Sequence, residues 1–139
     1  MESFKQEQEL RKKASLETFG WYTDVAEPID VEQGILNMHT VGVEQTYKHK
    51  DFQIVVYMPP NLAHIFFSML VERVKNGETI EVNKRYDDIL ENYDVYFVER
   101  TENGRNVLRM ILPDKKGNFP EDEGYDPAFC NQLHEELLH

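Results

Sequence analysis

The chain has 139 residues and a formal net charge of −11, from 15 Lys and Arg against 26 Asp and Glu. Because this much negative charge repels phosphate groups, we expect no binding to nucleic acid and none to an anionic membrane. The length is that of one ordinary domain, and a hydrophobic content of 40% is enough for a core, so we predict a single domain over residues 1–139.

The start of the chain lacks the apolar block of a secretory signal, and no continuous apolar run reaches the roughly 18 residues of a membrane span. Cys130 is the only cysteine, so no internal disulfide can form. These features predict a cytoplasmic protein.

Residues 2–18 are dense in Glu, Gln, Lys and Arg, which predicts a surface helix within residues 1–19 that ends at Gly20. Trp21 then enters the body of the fold, which we assign to residues 20–113. A strand is predicted through Val25, before Glu27 and Pro28 break regular structure.

Two apolar, β-branched segments at residues 35–43 and 52–58 predict a pair of strands around a polar loop at residues 44–51. Gly42 lies inside the first segment. A glycine there marks a bulge, or a place where another backbone or a ligand comes close. Of these, a bulge is the commoner structural reason.

The strongest pattern is an amphipathic helix over residues 61–76, preceded by Pro59 and Pro60 and followed by Gly77. Its apolar residues recur at steps of three and four, and the predicted core stripe consists of Leu62, Ile65, Phe66, Met69, Leu70 and Val74. Burying six such side chains could contribute on the order of 10 kcal/mol gross, so we predict that the core assembles on this stripe.

The remaining elements are a short strand at residues 79–82, one or two helical turns at 84–91, and a hairpin of strands 93–100 and 106–113 with an Asn103-Gly104 turn. Residues 114–139 contain a polar loop and a final helix that Asp126 and Pro127 open. The predicted class is α+β, with a mainly antiparallel sheet packed against one strongly amphipathic central helix and with N- and C-terminal helices.

The candidate binding residues lie where strand 39–43, loop 44–51 and the start of helix 61–76 converge: Trp21, His39, Thr40, Gly42, His49 and His64. His39 and His49 flank the same loop, so a hairpin could bring them together. No histidine pair has the tight spacing typical of a metal site, and we expect neither a metal nor a cofactor. No catalytic motif is recognisable, which leaves open whether the chain is an enzyme.

Several short motifs occur in a characteristic order: Gly20-Trp21, His39-Thr40-Val41-Gly42-Val43, His49-Lys50-Asp51, and Met58-Pro59-Pro60 before a helix that ends at Gly77. This order resembles the bacterial domain of unknown function 4262 family, whose pattern reads G-W, Y-T-x-G-L, H-P-E and G-L-P before a long helix. Here His39, Lys50 and Met58 replace a tyrosine, a proline and a glycine of that pattern. The resemblance implies a fold boundary but no activity.

Two functions from different classes fit the sequence. The acidic surface and the missing catalytic motifs favour a non-enzymatic protein-interaction module, whose partner is another protein or a second copy of the chain in a homo-oligomer. The alternative is a small-molecule binding protein or hydrolase at the junction of the 39–43 strand, the 44–51 loop and the helix start, where the helix N-terminus could receive an anion. We favour the interaction module.

Overall fold

A computed structural model describes residues 2–30, 35–56, 58–82, 84–102, 104–126 and 132 of the chain. Within these ranges the helices are α1 (Glu2–Phe19), α2 (Val43–Tyr47) and α3 (Pro60–Lys75). The strands are β1 (Tyr22–Asp30), β2 (Ile35–Val41), β3 (Asp51–Val56), β4 (Arg85–Leu90), β5 (Tyr93–Glu102) and β6 (Arg105–Ile111). None of the described helices combines the length and the apolar character that a membrane crossing requires.

The strands form one six-stranded sheet in the order β1-β2-β3-β6-β5-β4. All neighbours are antiparallel except β3 and β6, which run parallel with Phe52 opposite Leu108 and Gln53 opposite Arg109. The predicted α+β class with a mainly antiparallel sheet is therefore confirmed. The sheet has two faces, and α3 covers one of them.

The face under α3 carries the main hydrophobic core. Its fully buried strand residues include Met38, Phe52, Ile54, Phe97 and Met110. The helix contributes five buried side chains: Ala63, Phe67, Leu70, Val71 and Val74.

The core stripe predicted for α3 is wrong at three of its six positions. Leu62, Ile65 and Met69 are 39%, 53% and 39% exposed, whereas Phe66 is half-buried and packs against the rim of the core. The helix has two overlapping apolar stripes, the predicted one and the buried one, and both contain Leu70 and Val74. Periodicity alone cannot decide which stripe faces the sheet, and in the structure the small Ala63 is on the buried side while Leu62 is not.

The other face of the sheet carries a buried polar layer that the sequence analysis did not identify. Arg109 is fully buried and donates three hydrogen bonds of 2.7 Å, to Gln53 Oε1, Glu102 Oε1 and the backbone oxygen of Gln132. Gln132 is also fully buried, and its side-chain amide pairs with the backbone N–H and oxygen of Leu112 at 2.9 and 2.8 Å. Gln132 thus bonds the backbone just beyond the end of β6, as a neighbouring strand would.

Three local predictions in the middle of the chain are corrected. Residues 44–51 are not only a loop, because α2 begins at Val43, and residues 79–82 form no strand. Residues 84–91 hold strand β4 rather than helical turns. Its pairing with β5 shifts register between Tyr86 and Leu90, and this irregularity places buried Tyr86 and Ile89 three residues apart, a spacing that resembles a helix.

The other elements agree with the sequence pattern. Helix α1 ends before Gly20, which has a φ of 84°, and the β5–β6 hairpin turns at Gly104, which has a φ of 78°. Strand β1 continues past Pro28 through a register shift between Ala26 and Ile29, so it is longer than predicted. The predicted final helix lies outside the described residues.

Candidate functional site

The structure separates the six candidate binding residues into different places. Trp21 and His64 contact each other on the α3 side of the sheet. Thr40 and Gly42 build the turn from β2 into α2, and His39 and His49 lie apart from both groups.

Trp21 and His64 form a stacked pair at the start of β1 and in α3. Their ring centroids are 5.2 Å apart and their planes differ by 18°. His64 Nδ1 lies 2.7 Å from the Thr23 hydroxyl, and the Ser15 hydroxyl donates to the backbone oxygen of Trp21 at 2.8 Å. The Ser15 bond fixes the Trp21 backbone and the Thr23 bond fixes the His64 ring, so the relative position of the two rings is built into the fold.

A cavity of about 440 Å³ opens beside this pair, and we call it the Trp21 cavity. Its apolar lining includes Trp21, Val71 and Phe19, and Phe19 is 62% exposed although it is a large aromatic residue. Its polar lining comes from two helices: Ser15 and Thr18 belong to α1, and Ser68, Glu72 and Lys75 lie on one side of α3. Ligand sites commonly combine such a mostly apolar concave surface with a few polar groups.

Thr40 is engaged in internal hydrogen bonds. Its hydroxyl donates to Asp51 Oδ1 at 2.7 Å and accepts from the Phe52 N–H at 2.9 Å. The same Asp51 oxygen accepts from the Val43 N–H at 3.0 Å, and the other carboxylate oxygen lies 3.6 Å from Arg105 Nη1. Thr40 and Asp51 therefore fix the start of β3 to the turn that opens α2.

Gly42 marks a close approach of two backbone segments. Its φ is 102°, and a Cβ added there would lie 2.5 Å from the backbone oxygen of Gly20. Strand β2 ends at Val41, so Gly42 is not inside the strand and the bulge interpretation is wrong. The alternative, another backbone coming close, is what the structure shows.

His49 links two segments of the core side. Its Nδ1 lies 2.8 Å from the backbone oxygen of Lys50, and its Nε2 accepts from the Ile80 N–H at 3.1 Å. These partners select the neutral tautomer with the proton on Nδ1. His49 also borders a groove of about 900 Å³ together with Lys50 and Arg105.

His39 points to the face of the sheet opposite α3. It pairs across strands with Asp24 and Gln53, and its Nε2 lies 3.7 Å from Asp24 Oδ2. Burial, followed by the positive charge of Arg105, lowers the pKa of His39, and this outweighs the attraction of Asp24. His39 and His49 are therefore not brought together by the hairpin.

The start of α3 also differs from the anion site that the sequence suggested. Pro60 has no N–H, and the N–H groups of Leu62 and Ala63 donate to the backbone oxygen of Pro59 at 2.9 and 3.3 Å. Most of the donors that an anion would need are thus absent or already used. Among the described residues, no three His, Cys, Asp or Glu side chains lie close enough together to hold a metal ion.

A surface that the sequence analysis missed lies on the exposed side of α3. Leu62, Ile65 and Met69 form an exposed strip that we call the apolar flank. One turn after Met69, Arg73 forms salt bridges with Glu78 and Asp88. The apolar flank therefore lies near the edge strand β4, and the second apolar stripe of α3 was the signal that could have identified it.

The matched family supplies a description but no activity. A family model described as "Domain of unknown function (DUF4262)" matches residues 15–126, which is most of the chain. No curated protein matches the chain, and no solved structure matches it. The chain belongs to the DUF4262 family.

Proposed function

We propose that this member of the DUF4262 family is a cytoplasmic, non-enzymatic protein-interaction module. The contact surface is the apolar flank of α3 together with the acidic end of β4. Its partner is a protein segment that carries apolar side chains flanked by basic ones. The observation that carries the proposal is the exposure of Leu62, Ile65 and Met69 on one side of a single helix.

The apolar flank differs from ordinary scattered surface residues. Single exposed apolar side chains are normal in folded proteins, but contiguous ones are typical of interaction sites. Residues 62, 65 and 69 follow each other at helical spacing, with half-buried Phe66 between them. A partner helix or strand laid along this strip would remove all four side chains from water, which is favourable at about 25 cal/mol per Å² of apolar surface.

The charge beside the flank supports a basic partner. Residues 87–94 contain Asp87, Asp88, Glu91 and Asp94 and no Lys or Arg, and of these acids Asp88 is paired with Arg73 of α3. They lie at the end of β4 and in the following turn and strand, and β4 is the last strand of the described sheet. Since the whole chain has a net charge of −11, this region adds to a field that attracts basic protein surfaces.

The candidate chemical groups also favour a non-enzymatic role. Thr40, His49 and Asp51 hold backbone groups of neighbouring segments, so their polar atoms support the fold. His39 is mostly buried next to Asp24. These structural contacts account for the polar residues of the motifs, so no catalytic role is needed to explain them.

The test is capture of partners with three forms of the full chain: wild type, the double variant Leu62→Ser with Met69→Ser, and the control Leu10→Ser. Leu10 is 67% exposed on α1, so the control removes an equally apolar side chain from a different surface. The double variant should melt within a few degrees of wild type but lose the partner that wild type and the control both retain. The binding of that partner should also weaken as salt increases, because opposite charges attract less when they are screened.

Two results would refute the proposal. One is that the folded double variant captures the same partner with unchanged affinity. The other is that the captured partner has an acidic contact segment, shown by chemical cross-linking, because the acidic end of β4 would repel it.

A further inference from the structure

We propose that the Trp21 cavity binds an aromatic zwitterion, a small molecule with one aromatic ring, one carboxylate and one ammonium group. Aromatic amino acids have this chemistry. The site is independent of the protein-interaction surface proposed above, since the cavity and the apolar flank lie on different sides of α3. It also differs from the junction site that the sequence suggested, because of the candidate residues only Trp21 and His64 line it.

The aromatic ring is recognised by the apolar part of the cavity. The exposed ring of His64 is backed by the stacked, 8% exposed ring of Trp21, and Tyr47 lines the same cavity, held by a 3.1 Å hydrogen bond to the backbone oxygen of Phe19. The exposed ring of Phe19 lines the opening. Aromatic rings contact each other favourably at centroid distances of about 4.5–7 Å, so a ligand ring has partners on several sides. A volume of about 440 Å³ falls in the ordinary range for small-molecule sites.

The charged groups of the ligand are recognised by one ion pair of the lining. Lys75 Nζ lies 3.8 Å from Glu72 Oε2, and their side chains remain 49% and 64% exposed. A ligand with only a carboxylate would attract Lys75 but meet repulsion from Glu72, and a ligand with only an amine would have the opposite problem. A zwitterion satisfies both charges at once, and the Ser68 hydroxyl adds a hydrogen-bonding group beside them.

The experiment uses the full chain and L-phenylalanine as the probe. Trp21 is the only tryptophan, so its fluorescence reports directly on the cavity. Three related compounds each lack one feature of the probe: L-alanine has no ring, L-phenylalaninamide has no carboxylate, and 3-phenylpropanoate has no ammonium group. We expect saturable changes in Trp21 emission with L-phenylalanine, and weaker binding of all three related compounds.

Variants then assign the charges. Lys75→Met should reduce the preference for L-phenylalanine over its amide, and Glu72→Gln should reduce the preference over 3-phenylpropanoate, each by about two- to fivefold as expected for exposed ion pairs. Lys13→Met removes an exposed positive charge from α1, outside the cavity, and should change neither preference.

The proposal is overturned if L-phenylalanine leaves Trp21 emission unchanged up to its solubility limit, or if L-alanine binds equally well. It is also overturned if Lys75→Met and Glu72→Gln, both folded, preserve the two preferences. If Lys13→Met reduces the preference for L-phenylalanine over its amide as much as Lys75→Met does, the ligand is attracted by the charge of the whole protein surface and not by this cavity. That result would also overturn the proposal.

Discussion

The orientation of α3 can be tested by comparing two adjacent phenylalanines. Phe67 is fully buried against the sheet, whereas Phe66 is half-buried. Phe67→Ala should leave a cavity in the main core and lower the free energy of unfolding by about 3 to 5 kcal/mol. Phe66→Ala removes a side chain that already contacts water, and we expect a loss of only about 1 kcal/mol.

Urea denaturation separates these magnitudes clearly. If the free energy of unfolding changes by about 2 kcal/mol per molar urea, the midpoint should fall by about 2 M for Phe67→Ala and by about 0.5 M for Phe66→Ala. A domain of this size has a total stability of about 5 to 15 kcal/mol, so the Phe67 variant can be close to unfolded without denaturant.

The same chemical change one residue apart makes Phe66→Ala the matched control. An equal loss for both variants, or a larger loss for Phe66→Ala, would show that the stripe Leu62, Phe66 and Met69 faces the sheet. The apolar flank would then be core, and the proposed interaction surface would not exist.

Three further predictions test other parts of the structure. Gly42→Ala should destabilise the fold by about 2 kcal/mol or more in thermal or urea unfolding, because of its positive φ and the 2.5 Å approach to Gly20, whereas a loss below about 0.5 kcal/mol would contradict that approach. Gln132→Leu should cost about 2 to 4 kcal/mol, because it leaves the N–H and oxygen of Leu112 without their partner, and amide hydrogen exchange at Leu112 should accelerate. Burial and then a nearby guanidinium lower the pKa of His39, so the unfolded chain takes up its proton first as the pH falls below about 6.5. Stability should therefore decrease as the pH falls below about 6.5, and His39→Gln should weaken this decrease, which unfolding curves at several pH values would reveal.

The elements with strong local signals were predictable from the sequence. The Asn-Gly signal in the sequence correctly located the β5–β6 hairpin, in which Glu102 pairs with Arg105 and Gly104 has a positive φ. Pro59 and Gly77 correctly limit α3 on its two sides. In each case a few neighbouring residues restrict the backbone, and no distant contact is needed.

The rotation of α3 and the nature of β4 depend on contacts between distant parts of the chain. The helix has apolar residues on more than one side, so only packing on the sheet selects Phe67 rather than Phe66. The irregular pairing of β4 with β5 gives Tyr86 and Ile89 a helical spacing, and the strand exists because β5 offers it a partner.

The candidate site was predictable only in part, for the same reason. Trp21 and His64 are 43 positions apart and meet because β1 lies beside α3. Nothing in the motif around His49 indicates that its Nε2 accepts a hydrogen bond from the Ile80 N–H, 31 positions away. The bond from Arg109 to Gln53 joins residues 56 positions apart, and a lone arginine in a strand pattern gives no sign that it is fully buried.

The parallel contact between β3 and β6 has a consequence for how the chain folds. Strands β1, β2 and β3 pair in sequence order, as do β4, β5 and β6, so each half of the sheet forms from segments that are close along the chain. Among the strand pairings, only that of β3 with β6 must close a loop of more than fifty residues. The chain entropy lost in closing this loop is paid before the contacts between the two strands form. We therefore expect joining of the halves to limit the folding rate. In the finished protein β3 is buried along its whole length. During synthesis the first half of the sheet emerges before β6, so one edge of β3 has no partner strand. That edge stays vulnerable to aggregation until β6 pairs with it.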